Sequence, residues 1–175
     1  TPVISSAASD VYKRQVPIDG VEEADEEGKS RSNRDEAAKV LSVVNDLLAV
    51  GDLQPRDIGV ISPYNGQVRE LVRLFESAGG REPGQPYHGL EIKSVDGYQG
   101  REKEVIVFST VRANERGEVG FLADYRRLNV AITRAKRGLI LLGHPTTLRH
   151  DGTWKSYLDW IDEHQLFAWH VTHSS

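Results

Sequence analysis

The sequence predicts a three-layer α/β fold: a mostly parallel β-sheet with helices on both faces. Three observations predict it. Short apolar runs such as Ile58-Gly59-Val60-Ile61-Ser62 have the composition of strands buried on both sides. These runs alternate with segments whose apolar residues recur at helical spacing. A chain of 175 residues, 38% hydrophobic, fits one domain with its own core.

Residues 1–15 are small and polar without a period, and are expected to form a disordered or non-native leader. The domain is expected over 16–167, opening on a short strand at Val16-Pro17-Ile18. The acidic stretch from Gly20 to Ser32 reads as a loop. A helix starts at Asn33, which stands in capping-box spacing with Glu36. It carries Ala37, Val40, Leu41, Val44, Leu47 and Leu48 and ends at Gly51. After the strand Ile58–Ser62, a second helix places Val68, Leu71, Val72 and Phe75 on one face and stops at Gly79-Gly80. Arg81 to Gly89 is a loop. Strands follow at Glu91–Val95, Val105–Ser109 and Leu139–Gly143. The polar excursion Ala113–Gly120 and a helix from Tyr125 to Ala135 lie between the last two. Trp154, Tyr157, Leu158 and Ile161 mark a final helix, and 168–175 a flexible tail.

No run of 18 apolar residues and no secretory signal is present, and cysteine is absent, so an intracellular setting, cytoplasm or nucleus, with no membrane partner is expected. Position 1 is not methionine, and the chain reads as a piece of a longer protein. Charge is uneven. Asp19 to Glu36 holds eight acids against three bases, a net of −5. Ser94 to Arg137 holds nine bases against six acids, a net of +3, and would attract a polyanion.

Ligands of parallel sheets bind beyond the carboxyl ends of the strands. The residues that follow the strands are therefore the candidates: Ser62 to Asn65, Asp96 to Glu102, Thr110 to Asn114 and His144-Pro145. Gly28-Lys29-Ser30 imitates the end of a phosphate-binding P-loop. The glycine that motif needs five residues earlier is Glu23, and no apolar strand leads in. No other Walker A motif occurs, so the chain has no phosphate cradle of its own. Gln99-Gly100-Arg101-Glu102 is either a close backbone approach to a ligand, with Glu102 on a ribose hydroxyl or an arginine, or a polar turn. Arg127 and Arg134, seven apart on one helix face, either reach across an interface to a γ-phosphate or form surface ion pairs. Pro63-Tyr64-Asn65-Gly66-Gln67 is either a grip on a nucleic-acid backbone or a capped turn. His164, His170 and His173 lack an acid or cysteine set, so no metal site is predicted.

These segments, in this order, resemble the second RecA-like domain of Upf1-like superfamily 1B helicases. Ile61 to Gln67 is similar to motif IV, Ser94 to Lys103 to motif V, Thr110 to Asn114 to the motif that follows it, and Asn129 to Lys136 to motif VI. The resemblance implies a RecA-like P-loop NTPase-type fold and an ATP-dependent 5′–3′ helicase in which two lobes clamp ATP and Mg²⁺. The first lobe, absent from this chain together with the Gln-Tyr-Arg-Met motif, would hold most of the nucleotide. It implies Arg134 as the arginine finger; Gly100, Arg101, Glu102 and Arg127 on the nucleotide; and Pro63, Tyr64, Ser94 and Arg112 on single-stranded RNA or DNA. A binding module that keeps the fold without the motor stays open as the alternative.

Overall fold

The computed structural model describes residues 12–98 and 101–164. Strand β1 (Tyr12–Pro17) leads into a small hairpin, β2 (Glu23–Ala24) and β3 (Arg31–Ser32). Then come α1 (Arg34–Ala49), β4 (Ile58–Ser62), α2 (Asn65–Ser77), β5 (Glu91–Ser94) and β6 (Lys103–Ser109). The chain continues through α3 (Tyr125–Arg134), β7 (Ala135–Gly143), α4 (Pro145–Leu148) and α5 (Gly152–Glu163). The main sheet has the order β1-β7-β6-β4-β5, and every neighbouring pair is parallel.

Successive side chains of a strand point to opposite faces, and β6 shows how this divides the core. Val105 and Val107 join a cluster with Ala37, Val40 and Val44 of α1 and Leu71 and Phe75 of α2. Ile106 and Phe108 join the opposite cluster with Leu128 and Ile132 of α3 and Trp154, Leu158 and Ile161 of α5. The result is three layers: α1 and α2, the sheet, and α3 with α5. Trp154 is fully buried, and its indole N–H donates to the Leu122 carbonyl at 2.7 Å. Among the described residues no helix is long and apolar enough to cross a membrane.

The structure departs from the sequence reading in four places. The first strand begins at Tyr12, inside the stretch expected as leader, and pairs with β7 in the register Gln15↔Leu141. The acidic stretch is a hairpin rather than an open loop, turned at Gly28, whose φ of 67° is left-handed and whose N–H donates to Asp25. Gly28-Lys29-Ser30 is therefore a hairpin turn. The last central strand starts at Ala135, directly after α3, four residues earlier than its apolar run suggests. Finally, Glu36 does not close the capping box. Asn33 Oδ1 accepts from the Glu36 N–H at 3.0 Å, but the Glu36 carboxylate turns to β6 instead. The tail from 168, with His170 and His173, lies outside the described residues.

Candidate functional site

All five strands of the main sheet end on one edge. There β6 closes on Ser109, and the chain turns at once. The Arg112 N–H donates to the Thr110 carbonyl at 2.8 Å across Val111, whose φ is 71°. This is a γ-turn of the strained, positive-φ kind, on a β-branched residue that resists that conformation. A buried polar cluster holds it. The Val111 N–H donates to Glu36 Oε1 at 2.8 Å, and Asn33 Nδ2 donates to the Val111 carbonyl at 3.1 Å. Ser109 Oγ donates to Glu36 Oε1 at 2.6 Å. Gln67 Nε2 donates to Ser109 Oγ at 3.0 Å and to the Asn33 carbonyl at 3.2 Å, and Gln67 Oε1 accepts the Asn33 N–H at 2.9 Å. Asn33, Glu36, Gln67 and Ser109 have no solvent exposure. Burial pushes the Glu36 carboxyl up to about 7, against the hydrogen bonds from Ser109 and Val111.

The turn aims Arg112 inward. Its guanidinium is 4% exposed and donates to Glu22 Oε2 at 2.8 Å and to Tyr64 Oη at 3.2 Å. Glu22 also accepts from the Ala113 N–H at 2.8 Å and from Asn114 Nδ2 at 3.2 Å. Burial alone would raise the Glu22 carboxyl. The donors Arg112, Ala113 and Asn114 outweigh it and hold the group below the ordinary range. Tyr64, which precedes α2, is 3% exposed; its Oη donates to the Val119 carbonyl at 3.3 Å and accepts from the Phe121 N–H at 3.2 Å. Of the four residues expected on a nucleic acid, Tyr64 and Arg112 are thus buried supports, their polar groups already engaged. Pro63 and Ser94 are half-buried and keep surface at this edge, Ser94 Oγ also accepting the Gly97 N–H at 3.1 Å.

The residues expected on a nucleotide divide between the two edges. Asp96 to Glu102 does not stay beyond the strand ends. The chain leaves β5 at Ser94, buries Tyr98 over the sheet, and reaches Arg101 and Glu102 at the start of β6. β5 and β6 both run parallel to β4, which lies between them, so the connection returns to the starting edge; its described part opens with a 3₁₀ turn, Asp96–Tyr98. A Cβ built on Gly59 would lie 2.2 Å from Tyr98 Oη, so the glycine leaves room for the ring. At the starting edge Lys103 pairs with Ala135, which sets Glu102 and Arg134 at the same end of the sheet. Glu102 is exposed and Arg134 half-buried, and neither side chain has a hydrogen-bond or ion-pair partner among the described residues. Arg101 pairs with Glu91 at 2.9 Å. Gly100 lies outside the described residues. Arg127 sits two turns back, roughly 10 Å along the helix axis. It donates to the Phe121 carbonyl at 3.0 Å and meets Asp96 at 3.6 Å, on the side of Tyr64 rather than of Arg134.

The model of an AAA domain family matches residues 7–146. The chain is 43% identical over 149 residues to a Drosophila melanogaster protein named regulator of nonsense transcripts 1 homolog, covering 85% of this chain and 12% of that one. It is 47% identical over 133 residues to the Caenorhabditis elegans regulator of nonsense transcripts 1, covering 75% and 12%. It is 42% identical over 139 residues to the Saccharomyces cerevisiae ATP-dependent helicase NAM7, covering 79% and 14%.

The chain belongs to the Upf1-like helicase family. Its parallel five-stranded sheet with helices on both faces is the RecA-like fold of that family. It spans about an eighth of the length of the relatives it matches. The matched region includes residues 12–15 of β1. In this Upf1-like domain, sequence reasoning missed Glu22, Ser109 and Phe121, read Gln67 as part of a nucleic-acid grip or a capped turn rather than as a buried support, and saw Asn33 and Glu36 only as a helix start. The usable signal was a Glu and a Gln standing in stretches otherwise read as loop and turn. Apart from Arg31, which meets Glu22 at 3.3 Å, their partners lie at least 34 residues away in the chain.

Proposed function

We propose that this domain is the C-terminal motor lobe of an ATP-dependent 5′–3′ helicase. It would supply an arginine finger and half of a single-strand groove, and be inactive as an ATPase without a first lobe. The observation that carries the reading is Arg134: a half-buried guanidinium, unpaired among the described residues, at the end of the sheet opposite the buried Arg112 cluster. A guanidinium at that edge is open to a ligand charge.

The donors at that edge fit one side of a polyphosphate. Arg134 and Arg101 offer guanidinium N–H groups, and Glu102 offers a carboxylate for a ribose hydroxyl or for orienting an arginine. They do not form a cradle, and among the described residues no group of three or more histidines and acids is placed to hold a metal ion. ATP and Mg²⁺ would therefore sit mainly on the other lobe, where the metal neutralises charge on the β- and γ-phosphate oxygens. Arg134 would reach the γ-phosphate as charge spreads over its oxygens, the moment at which a preorganised cation lowers the barrier most. At the opposite edge Pro63 and Ser94 would meet the strand, while Arg112 and Tyr64 fix the shape of the surface. Arg127 is better placed on the strand side than on the nucleotide. The relatives' name, regulators of nonsense transcripts, makes single-stranded RNA the first polymer to test, with DNA beside it.

The test is Arg134→Ala in the full-length protein. ATP turnover should fall about 10³–10⁵-fold while nucleotide affinity changes little. Turnover near the wild-type rate would remove the finger assignment.

A further inference from the structure

We propose that Phe121 and Tyr125, flanked by Arg127, form a nucleobase-stacking site on the strand edge of this domain. The inference rests on the reading that a single strand crosses that edge. Phe121 is 49% exposed and Tyr125 51%, so both rings meet solvent. They stand four positions apart, where a short 3₁₀ turn (Gly120–Ala123) leads into α3. The Phe121 ring is not loose. It stacks on Tyr64 at 5.3 Å and 21°, the Arg127 guanidinium carbon lies 5.2 Å from its centroid, and its N–H and carbonyl are held by Tyr64 Oη and Arg127 Nη1. Tyr64 in turn is held by Arg112 and Val119. A rigid ring built outward from a buried one, with half its surface in water, is a preorganised stacking platform.

The location selects the ligand. Tyr64 follows β4, and Asp96, the partner of Arg127, follows β5, so the platform overlies the ends of those strands beside Pro63 and Ser94. An aromatic face next to a guanidinium suits the shared π-face of all four bases and an adjoining phosphate. The site would hold a base without regard to its identity.

The experiment uses the full-length protein and fluorescent single-stranded RNA and DNA, with a matched set carrying one abasic position moved along the strand. Phe121→Leu keeps an apolar cover on Tyr64 and removes the π-face, so it decides the matter if Phe121→Ala disturbs folding. Either variant should bind the intact strand about 5- to 100-fold more weakly. The salt dependence should be unchanged, because no phosphate contact is removed. One abasic position should erase the difference between variant and wild type, and Phe121→Trp should retain affinity. Equal losses on every abasic strand, or wild-type affinity in both variants, overturn the stacking site; the second result would leave the aromatic pair to a protein surface such as the neighbouring lobe. A wild-type protein that binds no single strand overturns the helicase reading as well. Strand-stimulated hydrolysis with no effect of Phe121 overturns only this inference.

Discussion

Glu36 should make this domain lose stability as pH rises through neutrality. The carboxyl is fully buried, and its Oε2 has no hydrogen-bond partner among the described residues. Burial raises it from 4.5 to about 7. A group raised in the folded state contributes stability that is fully present below its unfolded value and is lost as pH climbs through the folded one. The gap between 4.5 and about 7, at 1.36 kcal/mol per unit, makes the loss between pH 5 and pH 8 about 2–3 kcal/mol. Glu22 and Glu91 are held below the ordinary range, so their contributions fade on the acid side of this window. The assay is urea unfolding of the 175-residue chain at pH 5, 6, 7 and 8, at constant m-value. Glu36→Gln keeps an oxygen to accept from Ser109 and Val111 and cannot titrate, so its profile over this window should be nearly flat. A wild-type profile that is already flat, or the same slope in Glu36→Gln, would refute the assignment of that carboxyl.

Two further substitutions probe the supports. Glu22→Ala leaves the buried Arg112 without its carboxylate and should cost about 3–5 kcal/mol in the same urea assay, far more than loss of an exposed hairpin acid. Tyr98→Phe removes a buried hydroxyl that has no hydrogen-bond partner among the described residues and stands against Gly59. It should leave stability unchanged or raise it by about 1–2 kcal/mol, and a clear loss would show that the hydroxyl has a partner.

The helices were legible because their apolar residues repeat with the helical period, and Ile58–Ser62 because all five residues are buried and read as one run. The first strand was legible only at its end, Val16-Pro17. Among the described residues it is an edge strand, paired with β7, and it buries Gln15, whose amide donates to the Gly143 carbonyl at 3.2 Å. The hairpin strands are two residues long and carry no alternation of their own. Glu36 could be seen as the acid of a capping box, since Asn-x-x-Glu fits that motif equally well. Only the arrival of Ser109 from 73 residues away decides where the carboxylate goes. Arg112 and Arg134 look alike in sequence. Glu22, 90 residues from Arg112, separates them by pairing with one and leaving the other unpaired among the described residues.

That separation constrains how the proposed motor would work. If hydrolysis is sensed at Arg134 and the strand at Phe121, the signal has about 15 Å of α3 to cross. The segment that leaves β5 meets α3 through the Asp96–Arg127 pair and buries Tyr98 in the same cluster as Leu128 and Ile132 of α3, on one face of the sheet. A close-packed core passes a displacement on rather than absorbing it. The opposite face, with α1 and α2, contributes differently: through Asn33, Glu36 and Gln67 it fixes the strained Val111 turn. On this geometry, substitutions under α3 should alter the coupling of strand binding to hydrolysis, whereas those around Glu36 should alter stability and the shape of the strand edge alone.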